Sequence, residues 1–204
     1  MLESIRERLQ GRVPHPIDER RTYAVLLPLI TISGQWHVLY QVRSQLVPQP
    51  GEVAFPGGQV EAGEGLQAAA IRETCEELNL SSDRIQILGE IDYMVNGART
   101  IHCFIGILDI DDWTQLKPNQ EEVERLFTVP LADLLDKEPR YYTLRSKVIP
   151  DADFPFDRIT NGPAYDFKEH QRSVPFYDGL PENLWGMTAL FTHRFIQIIT
   201  GRER

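Results

Sequence analysis

Cysteine is nearly absent: the 204-residue chain has two, Cys75 and Cys103. Two thiols cannot build the disulfide framework of a small secreted domain, so a reducing compartment is expected. Long apolar runs are missing too. The longest, Ala24 to Ile30, contains Pro28 and falls far short of the ~20 residues a bilayer span requires. The opening stretch, MLESIRERLQGR, is charged throughout and lacks the apolar centre of a signal peptide. No membrane partner is expected, and the cytoplasm is the expected location. Positive charge is in deficit, with 21 Lys plus Arg against 30 Asp plus Glu and a net charge of −9. That argues against nucleic acid as a partner, which needs a basic face. It leaves room for an anionic substrate held through divalent cations. No internal repeat or low-complexity tract occurs.

The chain carries 42% apolar and 25% charged residues, the composition of a soluble globular protein. Its length fits one domain spanning residues 1–204. Leu2, Ile5 and Leu9 give residues 2–10 the edge of a short helix, and Gly11, Pro14 and Pro16 mark a linker up to residue 20. Segments 22–31 and 36–44 are rich in β-branched and aromatic residues and flank Ser33-Gly34, which predicts a hairpin. Val53-Ala54-Phe55 is a further short extended piece, and residues 65–79 read as the clearest helix. Segments 86–95 and 100–110 flank Asn96-Gly97, a second hairpin signal. A strand over 122–129, a short helix over 130–137 with Pro130 in its first turn and a closing helix over 184–200 complete the pattern. Residues 139–182, with six prolines, read as a long irregular insertion on the substrate side. Strands and helices mix without regular βαβ alternation, so the expected class is α+β. Nine aromatics lie between residues 139 and 185, chiefly as filling for a satellite core. The five histidines show no ligand spacing, and both cysteines read as buried small residues.

The chemistry concentrates in residues 58–80. At about 100° per residue, Glu73, Glu76 and Glu77 share one arc of a helix, with Ile71, Cys75 and Leu78 opposite. Clustered carboxylates repel one another unless hard divalent cations bridge them. Oxygen donors of this kind suit Mg²⁺ or Mn²⁺ together with substrate phosphates. Arg72 lies four residues before Glu76 and can hold its carboxylate, and Glu64 is expected in the helix's first turn. A solvated Glu-rich face is the ordinary alternative. The wider spacing weighs against it: Gly58-x5-Glu64-x7-Arg72-Glu73-x2-Glu76-Glu77 fixes six positions. With each residue type at roughly 5–7%, a chance match is on the order of 10⁻⁷ per window.

This spacing resembles the signature of the Nudix hydrolases. Thr74 stands where an aliphatic residue is usual and Asn79 where a glycine is usual. Asn tolerates the left-handed helix cap, and every acidic position is intact. The resemblance implies a mixed-sheet α/β/α sandwich and hydrolysis of a diphosphate linked to another group, with Mg²⁺ or Mn²⁺ as cofactor. It makes Glu73 and Glu77 the primary metal ligands, Glu76 a third or supporting ligand and the Gly57 carbonyl an additional one. Metals neutralise the diphosphate and activate a water, and a carboxylate accepts that water's proton. Glu73 is the first candidate base within the box, and Glu121 and Glu122 are the later-loop candidates. Arg72 and Glu122 complete the expected catalytic group.

Three further stretches resemble the coenzyme A pyrophosphatase branch. They are Arg43-Ser44 with Gly51-EVA-Phe55-Pro56-Gly57-Gly58, then Glu122-Val123 leading to Val129-Pro130-Leu131, and Leu184-Trp185-Gly186-Met187-Thr188-Ala189. Arg43, Ser44, Gly58 and Arg99 are the expected substrate-binding residues. The resemblance implies hydrolysis of coenzyme A or a derivative to adenosine 3′,5′-bisphosphate and 4′-phosphopantetheine. The spacer QLVPQP departs from that branch, in which a second basic residue usually follows the Arg-Ser pair. Arg99 and the Lys168–Arg172 segment are candidates to supply the charge. Other nucleotide substrates (ADP-ribose, NADH, a nucleoside triphosphate) or a non-catalytic ligand-binding scaffold are the alternatives, and a homodimer is one expected state.

Overall fold

The computed structural model describes residues 1–13 and 21–202. The linker expected over residues 11–20 therefore lies, from Pro14 onward, outside the described residues, and so does His15. In chain order the elements are helix α1 (Leu2–Leu9), strands β1 (Arg21–Ile32), β2 (Gln35–Arg43), β3 (Val53–Ala54) and β4 (Gly57–Gln59), and helix α2 (Leu66–Leu78). There follow β5 (Ile85–Asn96), β6 (Arg99–Leu108), β7 (Val123–Pro130), α3 (Leu131–Asp136), β8 (Arg140–Ser146), β9 (His170–Phe176) and α4 (Gly186–Ile199). Pro130 ends β7 and caps α3 instead of standing within its first turn.

Seven strands form one mixed sheet. Its path runs β3-β2-β1-β6-β5, with β4 on β1 and β7 on β2. Among the described residues only β1 and β6 run parallel, over Arg21 to Leu29. Along its other edge β1 changes partner: Tyr23 to Val25 pair with β4, and Leu29 to Ile32 with β2. The sheet therefore splays between β4 and β2. Pro28 sits in this gap. Its missing N–H would point to the same side as that of Leu26, which donates to the Pro56 carbonyl at 2.9 Å. The proline thus costs the ladder nothing, which is how β1 runs through it.

Both faces of the sheet are covered, so β1 reads as a continuous apolar run. Val25, Leu27 and Leu29 face a core shared with Phe191, Phe195 and Ile196 of α4. Ala24, Leu26 and Ile30 face a second core with Ala69, Ala70 and Leu78 of α2. Tyr40 is fully buried between Phe55 and Phe127, each stacked with ring centroids 5.2 Å away, and its hydroxyl meets Thr192 Oγ1 at 3.1 Å. The result is the expected α+β architecture with helices on two sides of a mixed sheet. Helix α1 buries none of its residues. Among the described residues no helix is long and apolar enough to cross a membrane.

The segment read as irregular is partly ordered. β8 and β9 pair antiparallel from Arg140↔Phe176 to Ser146↔His170 and form a separate two-stranded sheet. Its base is seated on the start of α4, where Phe176 stacks on Trp185 at 5.2 Å and 19°. Beyond the strands, Phe154, Phe156, Tyr165 and Phe167 pack edge-to-face in their own cluster, as the satellite-core expectation has it.

Candidate active site

Helix α2 sits close on the sheet because its inner surface is small: Ala69, Ala70 and Thr74 are fully buried. Thr74 resolves its own polarity by donating Oγ1 to the Ala70 carbonyl at 2.7 Å. Asn79 ends the helix in the left-handed region, φ 52°, which its short amide tolerates. The sequence wheel places Glu77 on an outer arc, but the structure buries it to 5% exposure. The cause is non-local: β2 and β4 cover that side of the helix. Cys75 and Ile71, expected inside, are half-buried. Cys103 is fully buried.

Burial of a carboxylate demands donors. Glu77 Oε2 accepts from Gln41 Nε2 at 2.8 Å and from the Gly57 amide at 3.1 Å. Even so, burial pushes the Glu77 carboxyl up to about 8, helped by the charges of Glu122 and Glu73. Glu73 is raised for the same leading reason, burial, with Arg72 pulling the other way.

Two glycines make this proximity feasible. A Cβ on Gly57, at φ +151°, would lie 2.4 Å from the Ala24 carbonyl oxygen and 2.5 Å from the Val25 Cα. A Cβ on Gly58 would lie 2.3 Å from the Glu73 carboxylate carbon. β4 can thus slip between β1 and α2 only without side chains at these positions.

Arg72 organises the acids. Its Nε and one Nη hold Glu64 in a fork at 2.9 and 3.1 Å. The other Nη reaches Glu73 at 2.9 Å and Glu76 at 3.2 Å. Glu64 is the main partner, and it lies in the loop before the helix, not in its first turn. Its Oε2 also accepts the Glu61 amide at 3.0 Å, and Arg72 holds its carboxyl below the usual range.

Glu73, Glu77, Glu122, Gly57 and Gly58 line a cavity of about 390 Å³, together with Arg43 and Arg99. Arg43 anchors its Nε on the Pro48 carbonyl at 2.8 Å, and the Arg99 guanidinium lies 5.6 Å from the centre of the Tyr23 ring. Three expected residues do not line it: Arg72, which stands behind the acids, Glu76 and Ser44. Glu76 is 57% exposed, turned to Arg72 and off the cavity wall. Ser44 is buried, and its Oγ donates to the Glu121 carbonyl at 2.5 Å. It ties down the loop that carries Glu122 and does not line the cavity, where a substrate contact was expected. Glu121 is exposed, so of the later-loop pair only Glu122 faces the acids.

Gln41 is the residue that sequence reasoning missed. A lone amide between Tyr40 and Val42 in an apolar strand was the available signal. Oxygen-only donors in a half-buried cavity fit a hard divalent cation. Glu73, Glu77 and Glu122 are the residues that could hold one. Among the described residues no three ligating side chains form a finished cage. Mg²⁺ needs only one or two carboxylates, since waters and substrate phosphates complete its shell.

A family model described as "NUDIX domain" matches residues 20–152. Over 97% of this chain and 81% of its relative, the sequence is 27% identical to Nudix hydrolase 3 of Caenorhabditis elegans. Over 86% of this chain and 68% of its relative, it is 29% identical to the mitochondrial coenzyme A diphosphatase NUDT8 of Homo sapiens. A bacterial relative, the uncharacterized Nudix hydrolase NudL of Photorhabdus laumondii, is 28% identical over 93% of both chains. With the box acids drawn together as described and the family match spanning most of the sheet, the chain belongs to the Nudix family and is a Nudix hydrolase.

Proposed function

We propose that the protein hydrolyses the diphosphate of coenzyme A or a derivative, giving adenosine 3′,5′-bisphosphate and a 4′-phosphopantetheine species. The observation that carries this reading is one cavity in which Glu73, Glu77 and Glu122 stand beside Arg43 and Arg99. Acids for cations and arginines for phosphate oxygens are the two halves of a diphosphate site. The likeness to a human coenzyme A diphosphatase supports the choice of substrate.

Mg²⁺ or Mn²⁺, when bound, neutralises the diphosphate and lowers the pKa of a coordinated water. Glu73 and Glu77 would hold it, with the Gly57 carbonyl as a further oxygen. Arg43 and Arg99 orient the phosphates. Glu122 takes the proton from the attacking water. Among the described residues its carboxylate has no hydrogen bond or ion pair, whereas Glu73 is engaged by Arg72. A reducing aqueous compartment and a homodimer belong to the same reading. Both cysteines are free thiols.

The test is a product assay with Mg²⁺ or Mn²⁺ and a panel of coenzyme A, acetyl coenzyme A, dephospho-coenzyme A, ADP-ribose and NADH. Release of adenosine 3′,5′-bisphosphate from coenzyme A as the preferred reaction is expected. Preference for ADP-ribose or NADH would overturn the substrate and leave the hydrolase.

A further inference from the structure

A second cavity, about 400 Å³, adjoins the one that holds the acids. Wall residues common to the two include Arg43, Arg99, Ile101, Met187 and Thr188. Glu73, Glu77 and Glu122 line only the first, and Arg172 lines only the second. The three arginines come from the end of β2, the start of β6 and the middle of β9. β9 reaches this place because its base is fixed on α4: Phe176 bridges and stacks on Trp185, and Tyr141 on the paired strand meets His193 Nδ1 at 2.6 Å.

Three guanidiniums converge on this chamber. Acids outnumber bases, 30 to 21, and Arg72, Arg84, Arg125, Arg140, Arg194 and Arg202 are in ion pairs. Among the described residues Arg43, Arg99 and Arg172 are in none. One acid, Glu52, lines the outer chamber, and it accepts from Gln49 Nε2 at 3.4 Å. Three uncompensated guanidiniums around a partly apolar cavity call for an anion of more than one charge, and guanidinium forks match phosphate oxygens.

We propose that Arg99 and Arg172 form a second phosphate subsite in the outer chamber, for a phosphate monoester carried by the same substrate whose diphosphate lies against Glu73, Glu77 and Glu122. Arg43 and Arg99, walls of both chambers, bridge the two anionic groups. Ile101, Val174 and Met187 give the substrate between them an apolar surface. The subsite deepens the coenzyme A reading, in which the monoester is the 3′-phosphate.

Binding is measured by calorimetry with adenosine 3′,5′-bisphosphate and with AMP, neither of which has a diphosphate to cleave. The proteins are wild type, Arg172→Gln, Arg99→Gln and the control Arg145→Gln, which changes an exposed arginine on β8 outside both chambers. Wild type is expected to bind the bisphosphate about tenfold tighter than AMP, the worth of one charged hydrogen-bonded contact. Arg172→Gln removes most of that preference while AMP binding stays, and Arg145→Gln changes neither. Equal binding of the two nucleotides by wild type, or a preference that survives Arg172→Gln, overturns the subsite. Parallel turnover of coenzyme A and dephospho-coenzyme A separates the two proposals. If neither is cleaved, the coenzyme A reading fails, while the binding difference still decides the subsite.

Discussion

Gln41 donates its Nε2 to Glu77 Oε2 at 2.8 Å, and its own Oε1 is buried without a partner. The amide is 1% exposed. A polar group buried with one end unsatisfied costs stability and is retained only where the other end matters. Together with the Gly57 amide it occupies Oε2 and leaves Oε1 for the cavity. Gln41→Met keeps the volume and removes the donor. The half-saturating Mg²⁺ concentration is expected to rise about tenfold, the usual effect of losing a partner behind a metal ligand. Direct titration with Mn²⁺ should show the same shift. An unchanged metal requirement would make the Gln41 contact purely structural.

Replacing Glu77 itself separates stability from function. Its carboxyl stands at about 8 against an ordinary 4.5, chiefly through burial. A raised carboxyl means that stability is complete below the unfolded value and is lost as pH climbs to the folded one. Metal-free wild type therefore weakens between these limits as the unfolded chain ionises first. Glu77→Gln does not titrate, and its amide oxygen can still accept from Gly57. Without metal its melting temperature should exceed that of wild type at pH 8 by an amount worth about 1–3 kcal/mol, and the gap should close toward acid. Turnover should be lost at every pH. Equal melting curves at pH 8 would contradict a buried, strained carboxylate.

The paired glycines should fail in different ways. The added methyl of Gly58→Ala strikes the Glu73 carboxylate, a side chain that can move, so folding should persist while turnover falls about a hundredfold. Gly57→Ala strikes the Ala24 carbonyl and the Val25 Cα, which are backbone and cannot yield. It should cost about 2–4 kcal/mol of stability, read by denaturant unfolding. A Gly57→Ala protein as stable as wild type would mean that β4 can shift away from β1.

These cases mark what sequence could and could not disclose. Box spacing and α2 periodicity are local, so the helix over 66–78 and its acids were legible. The layering was legible through the resemblance that the box carries, which implies a mixed-sheet sandwich. Glu77's burial was not, because a helical wheel knows nothing of the β2 and β4 segments that cover one arc of it. Gln41 becomes meaningful only once the sheet splays between β4 and β2, which depends on the register of β1 with three partners. The β8–β9 hairpin escaped detection because β8 is exposed along its whole length and β9 along its first half, so no apolar alternation marks them. The place of Ser44 was hidden for a related reason: its hydroxyl donates to a carbonyl in a loop that is distant in sequence.

The identity of the base can be decided by comparing two acids that share one cavity. Glu73 is bound to Arg72 at 2.9 Å, and its lone pairs are committed in part to that guanidinium. Glu122 follows the Asn119 turn, where its amide donates to the Asn119 carbonyl at 3.0 Å while its own carbonyl accepts the Ser44 amide at 2.9 Å. Its backbone is thus held at both ends and its carboxylate is free, the arrangement a proton acceptor needs. Glu122→Gln should lower kcat by about 10²–10⁴ and leave the half-saturating Mg²⁺ concentration within twofold of wild type. Glu73→Gln should instead raise the metal requirement, because there a ligand has been removed. If Glu122→Gln weakens Mn²⁺ binding as strongly as Glu73→Gln does, Glu122 is a third ligand and the base is Glu73. The two variants, titrated with Mn²⁺ and assayed at saturating metal, give opposite patterns for the two assignments.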